Sequence, residues 1–184
     1  MGRKYAIYDS TKYYFVTFTV VKWIDIFIRD VYKEIIFDSL KYCQENKGLE
    51  VCAYCVMTSH IHLILGVKDG FNLSDVIRDC KSYTSRHIRK SIEQNQQENR
   101  RDWLLSDLTW QGKINTRNKD FQFWRQDNHP IVLNDQDRVK KCLNYIHLNP
   151  VVAGFVAKAE DWIWSSAKSY FDGVEDEKID VFYL

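Results

Sequence analysis

The fold turns on residues 49–67, LEVCAYCVMTSHIHLILGV. Two runs rich in β-branched, aromatic and other apolar side chains flank a two-residue link, Thr58 and Ser59. Such runs read as strands, and so short a link makes them antiparallel neighbours. Side chains alternate between faces along a strand. His60 and His62 therefore share one face, and Ile61 points into the opposite layer. Two imidazoles side by side suit a divalent metal. The competing reading is a pair of core histidines satisfied by hydrogen bonds. Cys52 and Cys55 add a C-x-x-C, which with the histidines is a pattern known for zinc. Regular alternation puts residues three apart on opposite faces, so these two thiols are not expected to share one metal.

Working outward, YYFVTFTVV (13–21) reads as a strand and DVYKEIIFDSLKYCQEN (30–46) as a helix. Val31, Ile35, Leu40 and Tyr42 lie near helical spacing there, and Gly48 ends the segment. NLSDVIRDCKSYTSRHIRKSIEQN (72–95) reads as a long basic helix opened by Asn72. Residues 97–120 are polar and irregular and read as a loop with short elements, and FQFWRQ (121–126) as a further strand. NDQDRVKKCLNYIHLN (134–149) reads as a helix capped by Asn134 or Asp135 and stopped by Pro150. AEDWIWSSAKSY reads as a last helical turn. The order strand, helix, strand, strand, helix, strand implies an α+β sandwich of ferredoxin-like type, a central antiparallel sheet with helices packed on one face.

The totals bound the function. A chain of 184 residues, 45% hydrophobic and 15% aromatic, makes one domain over 1–184 with a sizeable core. No apolar run approaches the ~20 residues that span a bilayer. The first residues, MGRKYA, fit neither a secretory signal nor a myristoylation site, so the expected compartment is the cytoplasm. Five irregularly spaced cysteines imply no disulfide framework. The net charge is only +1, yet residues 172–184 form an acidic tail carrying −4, which leaves +5 for the rest. Arg78, Lys81, Arg86, Arg89 and Lys90 crowd into thirteen residues opposed by Asp79 alone. Such crowding is the footprint of phosphate contacts, and equally of a solvated helix face.

The histidine pair gains weight from the last long helix. Tyr145 and Asn149 are four apart and share a helix face. An amide oxygen suits a hard cation as a third ligand. A phenol held beside that cation suits nucleophilic attack on a phosphodiester whose charge the metal stabilises. An isolated tyrosine at this spacing is more often simply a packing residue. The chain has eleven tyrosines, so spacing does not single out Tyr145. His87 reads as a surface residue, and His147 points off the Tyr145 face.

CVMTSHIHLIL resembles the His-hydrophobic-His signature of the HUH single-tyrosine transposases. KSYTSRHI, YIHLNPVVAGFV and DWIWSSAKSY resemble the REP-associated branch of that family, in the right order from about Tyr13 to Tyr170. The resemblance implies a ferredoxin-like core. It implies Mg²⁺ or Mn²⁺ at His60 and His62, with Asn149 where many relatives carry the longer glutamine. Tyr145 matches the nucleophile. The implied reaction is cleavage and strand transfer of single-stranded DNA, often beside a hairpin, through a 5′-phosphotyrosine with no nucleotide cofactor. Lys81, Arg86 and Arg89 are the first choices for phosphate contacts. Trp124 and Arg125 are the choices for stacking on or clamping an unpaired base, with a core position the competing reading for Trp124. A homodimer sharing two sites is compatible with the family, as is a complete site in one chain. Two rival functions remain at this level. One is a catalytically silent hairpin-DNA-binding protein that keeps the fold. The other is a metal-dependent phosphoesterase that uses water.

Overall fold

A computed structural model of the chain describes residues 7–115, 120–126 and 128–184. Residues 1–6, which decide the reading of the N-terminus, and 116–119, inside the stretch read as a loop, lie outside the described residues. The elements run β1 (Tyr14–Thr19), α1 (Asp30–Lys47), β2 (Leu49–Val56), β3 (His60–Val67), α2 (Leu73–Gln94), α3 (Arg101–Ile114), β4 (Ile131–Val132), α4 (Gln136–Val152) and α5 (Ala167–Asp172). The strands form one antiparallel sheet in the order β2-β3-β1-β4. This is the α+β, ferredoxin-like arrangement that the order of elements implied.

Strand alternation divides the sheet into two unequal faces. Val16 and Phe18 of β1 and Ile61, Leu63 and Leu65 of β3 pack with Tyr32, Ile36 and Leu40 of α1 and Ile77 and Ile88 of α2 into the main core. The other face carries a smaller cluster, in which Cys52, Cys55 and Ile64 meet Val139 and Ile146 of α4. Helices therefore cover both faces, not one as expected. β3 is apolar at nearly every position because it is buried from both sides.

Four local expectations are corrected. On α1 the buried stripe is Tyr32, Ile36, Leu40 and Cys43, whereas Val31 and Tyr42 are exposed. A bulge in β2 shifts the register between Val51 and Ala53 and turns Cys52 and Ala53 to the same face. Cys52 and Cys55 thus lie in one cluster, because the extra residue reverses the parity that strict alternation gives. Burial pushes both thiols up to about 12, which disfavours the thiolate that a metal would need. Residues 101–114 form α3, whose buried stripe is only Leu104, Leu108 and Gly112 while Trp103, Trp110 and Ile114 face outward. The backbone of Phe121 lies against Gly112 where a Cβ would stand. α4 is capped by Asp135, whose side chain accepts from the Arg138 N–H, and it runs through Pro150 to Val152. Proline's fixed φ suits a helix, and near its end the ring forfeits little beyond its own N–H.

The residues read as strand 121–126 do not form one. Trp124 makes a single bridge to Val20, and Gln122 N–H donates to Leu108 O at 2.9 Å. The fourth strand comes later, at β4. After α4 the chain makes a short turn over Ala159–Asp161 and then α5. The acidic tail packs on the outer edge of β2. Val181 bridges Val51, Phe182 N–H donates to Val51 O at 3.0 Å, and the Tyr54 hydroxyl donates to Asp176 Oδ2 at 2.6 Å. The tail thus pairs part of a strand edge that would otherwise be open. No helix among the described residues is long and apolar enough to cross a membrane.

Candidate active site

The site lies on the smaller face, where β1, β3 and α4 converge. His60 and His62 pair across the ladder with Thr19 and Thr17 of β1, so all four side chains share that face. The two imidazole centroids are 4.7 Å apart. Each ring is held at Nδ1 by a hydroxyl, His62 by Thr17 Oγ1 at 2.9 Å and His60 by Ser59 Oγ at 3.2 Å. Phe15 stacks on His62 at 5.6 Å. Burial lowers both imidazoles. His62 is held near 3, with a smaller contribution from His60, and the neighbouring Asp25 partly offsets the effect at His60. Both rings are therefore neutral at physiological pH, the form that binds a metal.

α4 is anchored on this face by Val139 and Ile146. That seating brings Tyr145 over the histidines. Its ring centroid lies 5.0 Å from His62 and 5.9 Å from Phe15, and the side chain is 54% exposed. One turn on, the Asn149 amide stands 3.3 Å from His62 Nε2. Half a rotation of that amide presents its oxygen in place of its nitrogen. Among the described residues no third histidine, cysteine or carboxylate completes a metal cluster. The donor set is two oriented neutral imidazoles plus one amide. It fits a divalent ion that keeps water or substrate oxygens in its remaining positions. His147, on the far side of α4, is buried and contacts Ser166 Oγ at 3.0 Å, as its position off the Tyr145 face implied.

The residues chosen for DNA contacts scatter. Trp124 is buried in the main core, stacked on Phe27, with its indole N–H donating to Thr84 Oγ1 at 3.1 Å. It is not available to stack on a base. Trp124 bridges Val20, whose side chain faces the main core, and Phe123 beside it is buried in the same cluster. The next residue, Arg125, faces the other way and is exposed, with its N–H bonded to Thr19 O at 2.8 Å. Lys81, Arg86 and Arg89 lie on α2, across the sheet from the histidines. Lys81 ties down the loop before β4 through Arg125 O and Asn128 Oδ1. Arg89 pairs with Glu93 and covers Phe121. Arg86 is exposed and donates to Ser82 O. His87 is exposed and stacks on Tyr83.

Sequence reasoning missed Thr17, Ser59 and Phe15, which orient the imidazoles. It also missed Trp23, which is 53% exposed and meets His60 edge-on at 5.2 Å. Thr17 was marked only by its place two residues from Thr19 on a strand facing the pair. Trp23 follows the strand in an irregular turn, where no periodicity applies.

A pair of imidazoles on an antiparallel sheet, faced by an exposed tyrosine on a following helix, sets metal-ligating side chains beside a potential nucleophile. The IS200-like transposase family profile matches residues 9–113, more than half of the chain, and the chain belongs to that family. Within it the chain is similar to REP-associated tyrosine transposases. A Haemophilus influenzae protein named as one is 27% identical over 161 residues, covering 86% of this chain and 82% of the relative. The solved structure of a REP-associated tyrosine transposase bound to a REP hairpin superposes with a TM-score of 0.67 at 15% identity. That match covers 100% of this chain and 95% of the other.

Proposed function

We propose that the chain cleaves and rejoins single-stranded DNA beside hairpin elements, with Tyr145 as nucleophile. The observation that carries this reading is the approach of an exposed Tyr145 to within 5.0 Å of the His62 ring, in one chain. His60 and His62 would hold Mg²⁺ or Mn²⁺, with Asn149 as an amide ligand or a partner to a metal-bound water. When bound, that ion supplies charge stabilisation for the scissile phosphate.

The protein's own groups do the rest. Thr17 and Ser59 fix the ring orientations. Phe15 packs against both His62 and Tyr145 and holds the phenol near the sheet. The Tyr145 oxygen forms an ester bond to phosphorus, and the bond from phosphorus to the 3′ oxygen breaks. The proton lost by the phenol is matched by one gained at the departing 3′ hydroxyl. The phosphotyrosine keeps the energy of the original linkage, so attack by another 3′ hydroxyl reverses the step with a new partner. The approach of Tyr145 and Asn149 to His62 within one chain supports action in cis. Arg125, on the same face, is the strongest candidate among the chosen cations for a backbone phosphate.

The test is incubation with Mn²⁺ and a hairpin DNA carrying single-stranded flanks, followed by denaturing electrophoresis. A covalent protein–DNA adduct that is lost in Tyr145→Phe is expected. Cleavage that survives in Tyr145→Phe would establish the water-using phosphoesterase, and binding without any adduct would establish the silent hairpin binder.

A further inference from the structure

We infer that Trp23 and Arg125 form a clamp for one unpaired nucleobase, next to the phosphate that reaches His60 and Tyr145. The inference rests on the proposed reading only in taking single-stranded DNA as the ligand. Lys22 and Trp23 both have left-handed backbones, φ 54° and 58°. A bulky aromatic residue is rarely found there, and two such residues in succession must be held by their surroundings. They are held. Trp23 N–H donates to Val20 O at 3.0 Å, and Lys22 Nζ pairs with Asp107 Oδ1 of α3 at 2.6 Å.

The strain has no return in the core. Trp124 and Trp164 are buried, whereas Trp23 keeps 53% of its surface in solvent. What the strained turn achieves is placement. The indole meets His60 edge-on, and the Arg125 guanidinium stands 6.0 Å from the indole centroid. The backbone row that fixes this runs from His60 to Thr19, its ladder partner, and on to Arg125, whose N–H bonds Thr19 O. An open aromatic surface beside a cation, at the rim of a site built for a phosphodiester, matches a base with its own phosphate. Stacking of this kind tolerates any base, so the clamp positions the strand and leaves sequence choice to other contacts.

The experiment measures binding without chemistry. In a Tyr145→Phe background with chelator present, the probe is a fluorescein-labelled DNA hairpin with randomised single-stranded flanks, read by anisotropy. Adding Trp23→Ala is expected to weaken binding by about 5- to 100-fold, while Trp23→Phe, which keeps a ring, retains most of the affinity. An abasic site walked along the flanks should reproduce the loss at one position in the Trp23 protein and cost nothing further there in Trp23→Ala. Equal affinity for Trp23 and Trp23→Ala, or abasic losses that are identical in the two proteins at every position, would overturn the clamp. Thermal unfolding of each variant identifies any loss caused by misfolding, and Trp23→Phe then decides. Adduct formation by the unsubstituted protein is scored in parallel. A missing adduct with the coupling intact defeats the transposase chemistry and leaves the clamp; an adduct without coupling does the reverse.

Discussion

The two faces of the sheet use the same strands for different ends. Toward α1 and α2, Val16, Ile61, Leu63 and Leu65 are at most 1% exposed in a continuous apolar layer. Toward α4, the intervening residues Thr17, His60 and His62 are polar and oriented by hydroxyls, and the exposed Tyr145 closes over them. A strand can carry both roles because, away from a bulge, consecutive residues take opposite faces. The large core supplies the stability that lets the smaller face keep two neutral imidazoles and a half-open phenol. Stability and chemistry should therefore respond to different substitutions only one residue apart.

The sharpest break of that comparison is Tyr145→Phe. Adduct formation is expected to fall on the order of 10⁴-fold or more, the scale seen when a nucleophile is removed. The unfolding midpoint should barely move, because an exposed hydroxyl contributes within about 0.5 kcal/mol. A large loss of stability would mean that the phenol serves packing after all. On the other face, Leu63→Ala is expected to cost about 2–5 kcal/mol by leaving a cavity in the main core. Its remaining folded fraction should still form adduct at near the original rate. Chemical denaturation and adduct assays on the same samples separate the two effects, and a folded but inactive Leu63→Ala would show that the faces are coupled.

A smaller effect tests the buried imidazoles. His62 is held near 3 and His147 near 4, both chiefly by burial, against about 6.5 in the unfolded chain. Below pH 6.5 the unfolded state binds the extra protons, so stability is full above that value and falls as the solution is acidified. The expected slope between pH 6 and 5 is about 1.4 kcal/mol per pH unit for each ring. Substituting His147→Gln should remove the share of one ring, as read from urea denaturation at each pH. A flat profile over that range would mean that the rings protonate without unfolding the chain.

Much of this division was legible in the sequence because it rests on parity. HIHLILGV in a tight hairpin fixes which face the histidines take, and the four-residue spacing of Tyr145 and Asn149 fixes theirs. Parity failed where something outside the strand resets it. The bulge in β2 reversed Cys52, and nothing in LEVCAYCV marks it. FQFWRQ holds nothing that sets the phase of Trp124, so base stacking and core packing both fit the sequence; the neighbour that decides is Val20, about a hundred residues away in sequence. α3 was hidden because its buried stripe, Leu104, Leu108 and Gly112, is one residue wide per turn and flanked by exposed tryptophans. Gly112 reads as a breaker until the Phe121 backbone is seen lying against it.

The cations of α2 give the smallest expected effect and the finest test of which face meets the DNA. Arg78 is tied to Asp75 and Asp79, and Arg89 to Glu93. Among the described residues Arg86 and Lys90 pair with no carboxylate, yet they stand on the far side of the sheet from His60. At that remove they contribute only to the overall field, which salt screens beyond about 8–10 Å. The double variant Arg86→Gln with Lys90→Gln should therefore weaken hairpin binding about two- to three-fold at low salt and not measurably at physiological salt. The slope of log affinity against log salt should fall by only about a third of a unit for the pair, whereas Arg125→Gln alone should lower it by about one unit, the loss of a single phosphate contact. If the α2 pair lowers that slope by one unit per residue, the strand wraps around the helix to the opposite face. The separation of the faces would then hold for packing but not for binding.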